Sequence, residues 1–351
     1  MNNIEIRKVH KVGNWYDFEW FIDGIRLSKY LIDRKNIELP HKVEPFDDLC
    51  PAWTKELDYA GDVKFVWHLI GLENAVLPIY VCPDDLDFSC IVLVVEVEKT
   101  KDYVYWNRVG YVNQKDYDFE LEKRSGILHT ESYSDRDWEK YGDNIALEEI
   151  DSDEWLEWIS ENWEEELFRR RMNYTFPNYQ NEGNILWFAD LNFVFLKNDY
   201  EVVVDEYWER ETLYQLENYR ETKMDSDNCV NLIMHLTRDG QDRLEKHLKD
   251  YGEILLHIYA SDEIGNPLYE LLDKQSSCIS VNIYCKTIEL MWKYGDDSVR
   301  NVVDVTLLER LSDSKQGWEH FGKYISEDFK NYINAELLSN NIAMCGVSSI
   351  K

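Results

Sequence analysis

The chain has 351 residues, with 69 Asp and Glu against 38 Lys and Arg, for a net charge of −31. That excess repels nucleic acid and anionic membrane, and no basic stripe offsets it locally. Hydrophobic residues make up 44%, including 13 Trp and 23 Tyr, enough burial to exclude a disordered chain; the length points to two domains.

Residues 4–9 alternate apolar and polar and residues 15–22 are rich in aromatics, which predicts two strands joined by a turn at Val12-Gly13-Asn14. Asp23-Gly24 is a second turn signal, and residues 23–28 continue the same small antiparallel sheet. The polar stretch 31–51, with prolines at 40, 45 and 51, suits an extended surface excursion. Residues 53–57 and 63–69 are expected as short helices, with Gly71 ending the second.

The stretch 78–111 holds the longest apolar run. Ile91, Leu93, Val95 and Val97 share one face against Val92, Val94, Glu96 and Glu98, a strand buried on one face and partly on the other. A polar turn at 99–102 leads to an answering strand at 103–111, so a hairpin is predicted. Cys82 and Cys90 precede it. Zinc sites pair ligands as C-x₂₋₄-C; the step between these two is longer, and no second Cys or His pair lies nearby, so both are read as structural. The seven cysteines, at 50, 82, 90, 229, 278, 285 and 345, are not the dense framework of a small secreted domain, and reduced thiols in a cytoplasm are expected. The N-terminus lacks an apolar leader segment and no apolar run reaches membrane-spanning length, so a soluble, unexported chain is expected.

Between residues 116 and 168 stand 19 acidic residues and four basic ones, almost half of the whole excess. Within it Trp155, Ile159, Trp163 and Leu167 recur at four-residue steps, one face of an amphipathic helix capped by Asp151 or Ser152. Acidic residues stand at many of its other positions, among them Asp153, Glu154, Glu157, Glu161, Glu164 and Glu165. The structural reading is a solvated face over a Trp-packed core; the functional one is a docking surface for a basic protein. Arg169, Arg170 and Arg171 then complement the dipole at the helix end.

Residues 173–183 are a polar break, after which 185–196 and 200–204 form a second predicted hairpin through Lys197-Asn198-Asp199. Residues 206–220 are helical in composition, and 222–228 are the expected linker. The remainder is predicted mostly helical: 231–251, broken near Gly240; 253–259; 268–272, with Asn266 as cap and Pro267 at its first position; 279–294, whose opening half also fits a strand; and 299–311, with 295–298 as stop and start. Glu253 and His257, four apart on a presumed helix, form a candidate acid/base pair, set against a packing histidine. His235 and His247 offer no better geometry. Gly-rich phosphate loops, HExxH and GxSxG are absent.

The acidic, Trp-rich run 151–168, followed by a helical half containing Gly295-Asp296-Asp297-Ser298-Val299-Arg300, resembles the immunity proteins that bacteria encode beside secreted toxins. The likeness extends over about residues 116–335 in general character. It implies an acidic cytoplasmic protein without catalytic residues, whose role is to cap a toxin.

The expected fold is α+β: a largely antiparallel unit over 1–221 and a mainly helical domain over 222–351. The expected function is non-catalytic binding of a basic protein partner, a toxin, through the six acidic positions of 153–165, with no cofactor or metal and no nucleic acid or membrane partner. The alternative is a metal-dependent or small-molecule enzyme with its site between the two halves.

Overall fold

The computed structural model describes residues 1–9, 18–32, 49–57, 60–84, 86–88, 91–112, 135–144, 153–170, 172, 176–220 and 223–339. It has an α+β architecture, dividing into compact units at Met1–Val204 and Asp205–Lys351. The division falls inside the helix Lys197–Glu217, whereas the expected linker lay at 222–228. There Met224 forms a parallel bridge with Gly295, and a helix starts at Ser226 with Asp225 capping it through Asn228 N–H.

The first unit carries two antiparallel sheets. Strands β1 (Ile4–Lys8), β2 (Phe18–Ile22) and β3 (Ile25–Arg26) form one in that order. The Asp23-Gly24 turn works because both residues take positive φ, 52° and 78°, as a two-residue hairpin turn of this hand requires. The chain then enters the helix Leu27–Ile32 instead of extending the strand. The turn expected at 12–14 lies outside the described residues.

The second sheet orders β4 (Cys50–Pro51), β5 (Asn74–Val81), β6 (Val92–Lys99), β7 (Tyr103–Val112) and β8 (Ile185–Leu196). The predicted hairpin is the β6–β7 pair, with Leu93 opposite Tyr111 and Lys99 opposite Val104. Val92, Leu93, Val94 and Val95 are all buried, so both faces of β6 are covered there. Proline at position 78 of β5 sits beside a bulge at Pro78/Tyr80, where a missing N–H is tolerated; its carbonyl accepts the Trp53 indole N–H at 3.0 Å.

Two expectations for this unit are corrected. Residues 53–57 are a turn and coil segment, not a helix: Trp53 is fully buried and Ala52 N–H bonds Ile79 O, so sheet contacts hold this segment. The second hairpin does not form either. Its first strand, β8, pairs with β7 and completes the five-stranded sheet, while 200–204 belong to the helix Lys197–Glu217. Tyr200, Val203, Val204 and Tyr207 are buried and Val202 is exposed, a helical spacing that becomes visible only when the window runs past residue 204. The helix Ala60–Gly71 covers the region where the second short helix was expected.

The second unit is helical. Helices Ser226–Met234 and Gly240–Tyr251 flank the expected break. Asn266 is not a cap: its φ and ψ are helical, and Leu256–Ala260, the π-helical turn Ser261–Gly265 and Asn266–Asp273 run on without a stop. Pro267 inside a helix removes one donor and crowds the carbonyl four residues back. A π-turn immediately before it relieves that conflict, and Asn266 N–H bonds Ser261 O, five residues back. A second π-helical stretch, Val303–Leu308, continues the helix Asp297–Val302. The segment Ile279–Tyr294 is helical throughout. Its period-two pattern arises because Val281, Ile283, Tyr284, Cys285, Thr287 and Ile288 are buried around most of the circumference, as in a helix central to its core.

Candidate functional site

Two places merit a functional reading, one in each unit. The first is the acidic run. It forms the helices Asp153–Asn162 and Glu164–Arg170, interrupted at Trp163. Ile159 and Trp163 are buried, and Tyr141 stacks on Trp163 at 4.5 Å with planes 26° apart. The buried side of the predicted stripe is thus present at these two positions. The side chains of Trp155 and Leu167, and the capping residues Asp151 and Ser152, lie outside the described residues.

Of the six candidate docking residues, Glu154, Glu157 and Glu165 are exposed. Asp153, Glu161 and Glu164 lie on the same helices, with side chains outside the described set. Arg169 does not serve as a solvent-facing cap. It turns inward, donating to Asp137 at 2.7 Å and to fully buried Glu166 at 3.1 Å. The Arg169 guanidinium is therefore engaged by two carboxylates on the inner side of these helices. His68, packed against Phe168 and Phe176, is held below its ordinary pKa by burial, which favours its neutral form.

Other sequence candidates resolve without a catalytic grouping. Glu253 precedes the helix that begins at Leu256, so it and His257 do not share a helical face. His257 instead places Nδ1 2.6 Å from Thr306 Oγ1 and Nε2 3.4 Å from Asn301 Nδ2. Both ring nitrogens are thus occupied by neutral side chains of the following helical stretch rather than by a carboxylate. His247 accepts Leu255 N–H on Nε2 at 3.1 Å, a structural role. Cys82 is buried; Cys90 lies outside the described residues. Among the described residues no group of three or more His, Cys, Asp or Glu is placed to hold a metal ion, and no helix is long and apolar enough to cross a membrane.

The cysteines differ sharply in chemistry. Burial pushes the Cys229 thiol up to about 12 and raises Cys285 well above its ordinary range. Cys278 is exposed; partial burial raises its pKa, but hydrogen bonds with Ser276 and Ser280 outweigh that and hold it low. Since the thiolate is the nucleophile, iodoacetamide on the folded protein is expected to label Cys278 more than about 10-fold faster than Cys229 or Cys285. Mass spectrometry of timed digests checks this; equal labelling of the three would refute it.

The second place is an open cleft of about 590 Å³ in the helical unit, lined by Trp292, Lys293, Asp297, Arg300, Asn301, Asp304 and Tyr332. Local sequence explains its shape. Gly295 ends one helix, and a side chain there would put its Cβ 2.2 Å from Met291 O and 2.9 Å from Val299 Cβ, so only glycine allows so close a turn. Asp296 accepts Val299 N–H at 2.9 Å and starts the next helix. This sharp reversal brings 292–293 against 297–304. Trp292 stacks on Phe329 at 4.8 Å and meets Tyr332 at 5.2 Å, while the Tyr332 hydroxyl lies 2.8 and 2.9 Å from the two Asp304 carboxylate oxygens. Sequence reading found the 295–298 turn but not the cleft, because nothing local ties Tyr332 to Asp304.

The stretch 231–340, which contains every residue of this cleft, matches the model of a domain of unknown function (DUF7674). No curated protein and no solved structure matches the chain.

Proposed function

We propose that the chain is a non-catalytic cytoplasmic binding protein of the immunity kind, which neutralises a basic toxin by covering it with the acidic helices Asp153–Asn162 and Glu164–Arg170. The observation that carries this reading is the disposition of charge on those helices. Glu154, Glu157 and Glu165 are exposed, while Arg169 is drawn inward to Asp137 and Glu166. A negative surface of this kind, on a chain of net charge −31, steers a cationic partner and accelerates its capture.

Co-expression with the product of a toxin-bearing neighbouring gene tests the reading. Growth should be restored by the wild-type chain and less well by Glu154→Lys, Glu157→Lys, Glu165→Lys. With purified partner, the triple variant is expected to associate about 10-fold or more slowly at low salt, and the gap should narrow as salt screens the charges. Undiminished capture by a folded triple variant would remove the surface; a neighbour that is not toxic, or a chain that fails to protect, would remove the immunity role.

A further inference from the structure

The cleft of the helical unit carries charges of both signs that do not neutralise one another. Asp297 and Arg300 stand three apart on the helix Asp297–Val302, the spacing at which opposite charges on a helix ordinarily meet, yet they form no ion pair. Arg300 is drawn aside, donating Nε–H to Trp292 O at 3.1 Å and Nη2–H to Lys293 O at 3.4 Å. Those contacts fix the guanidinium at the carbonyl end of the helix Ile279–Tyr294 without cancelling its charge. Arg210, Arg238, Arg243 and Arg310 of the same unit are each paired with a carboxylate. Lys293 lies over the Tyr294 ring at 4.9 Å and has no carboxylate within 4 Å among the described residues. Asp297 has no described partner.

We infer that this cleft binds a short peptide with free termini, its carboxylate on Arg300 and Lys293, its ammonium on Asp297, and an apolar side chain against Trp292 and Tyr332. The mixture of signs decides the class. Asp297 and Asp304 in the same lining repel a phosphate dianion, and Arg300 with Lys293 repels a simple cation. A zwitterion satisfies both. Asp297 and Arg300 line the same cleft, and the short separation of their Cβ atoms on one helix face, about 5–6 Å, favours a ligand whose opposite charges lie close together over a bulky one. At about 590 Å³ the cleft lies in the size range of small-molecule sites. Asn301, also in the lining, contacts His257, which in turn meets Thr306 of the π-helical segment. This inference stands whether or not the acidic helices dock a toxin.

Calorimetric titration of the full chain with Gly-Phe tests it, compared with N-acetyl-Gly-Phe, Gly-Phe amide and inorganic phosphate. Gly-Phe is expected to bind, with each blocked peptide at least about 10-fold weaker, since each loses one charge-assisted contact. Arg300→Gln should bring Gly-Phe down to the level of its amide, and Asp297→Asn down to that of the acetylated form. Lys293→Gln, which disturbs no helix-end hydrogen bond, should weaken Gly-Phe without altering the thermal melt. No binding of Gly-Phe up to about 10 mM, tighter binding of phosphate, or unchanged discrimination in folded variants would each overturn the assignment.

Discussion

Trp106→Ala is expected to destabilise the first unit by about 3–5 kcal/mol, the usual cost of deleting a buried indole. Trp106 is fully buried on β7, opposite Val97 on one side and Phe193 on the other, with register shifts flanking it in both pairings. Its ring meets Phe195 edge-on at 5.6 Å, Tyr200 at 6.3 Å and Trp53 at 6.5 Å. Removing it takes a contact from β8, from the helix that follows β8, and from the turn holding Trp53, so the cavity cannot be closed by moving one element. For a unit of this size the loss corresponds to roughly 6–20 °C in melting temperature. Trp106→Phe should cost much less, because the indole N–H is buried without an acceptor among the described residues, and an unpaired buried donor is itself unfavourable by about 1–3 kcal/mol. Denaturant titration followed by β-sheet circular dichroism separates the two variants. If Phe proved as damaging as Ala, ring packing would not be what Trp106 contributes.

The elements that sequence revealed are those whose pattern is local. The β6–β7 hairpin announced itself through alternating β-branched residues around a short polar turn, and Asp23-Gly24 through the only kind of residue pair that accepts its backbone angles. Residues 200–204 read as a strand because so short and largely apolar a run suits either element; the exposure of Val202 at its centre breaks the pattern, and the buried Tyr207 that completes the helical face lies past its end. Pro267 signals a helix start in most contexts, and only the tertiary core of the second unit makes a continuous helix with a π-turn the better solution. At the acidic face the exposure of Glu154, Glu157 and Glu165 followed from the Trp stripe. The inward turn of Arg169 did not, since Asp137 is 32 residues away in sequence. The cleft was illegible for the same reason: Trp292 and Tyr332, distant in sequence, meet in a tilted ring contact only in the folded chain.

Arg26→Met is the second large effect, with an expected loss of about 3–5 kcal/mol. Glu19 is fully buried on β2, where its Oε2 accepts Arg26 Nε–H at 3.1 Å and Nη2–H at 3.0 Å, and its Oε1 accepts the Tyr80 hydroxyl. Tyr80 belongs to β5, so this one carboxylate ties the three-stranded sheet to the five-stranded one, beside the edge-on contact of Trp20 with Tyr80 at 5.5 Å. Taking away the guanidinium removes both of these charge-assisted hydrogen bonds from a fully buried carboxylate, and breaking a buried pair by removing one partner costs more than the intact pair contributes. Glu19→Gln should be milder, because the amide oxygen still accepts from Tyr80 while the charge is gone. The double variant Glu19→Leu, Arg26→Met should recover most of the loss, since an apolar pair of similar volume often equals a buried ion pair. Chemical denaturation of the three variants checks the non-additivity. A cost for Arg26→Met below about 1 kcal/mol, the level of an exposed pair, would mean that the carboxylate is held by its other neighbours and that Arg26 is dispensable to the junction of the two sheets.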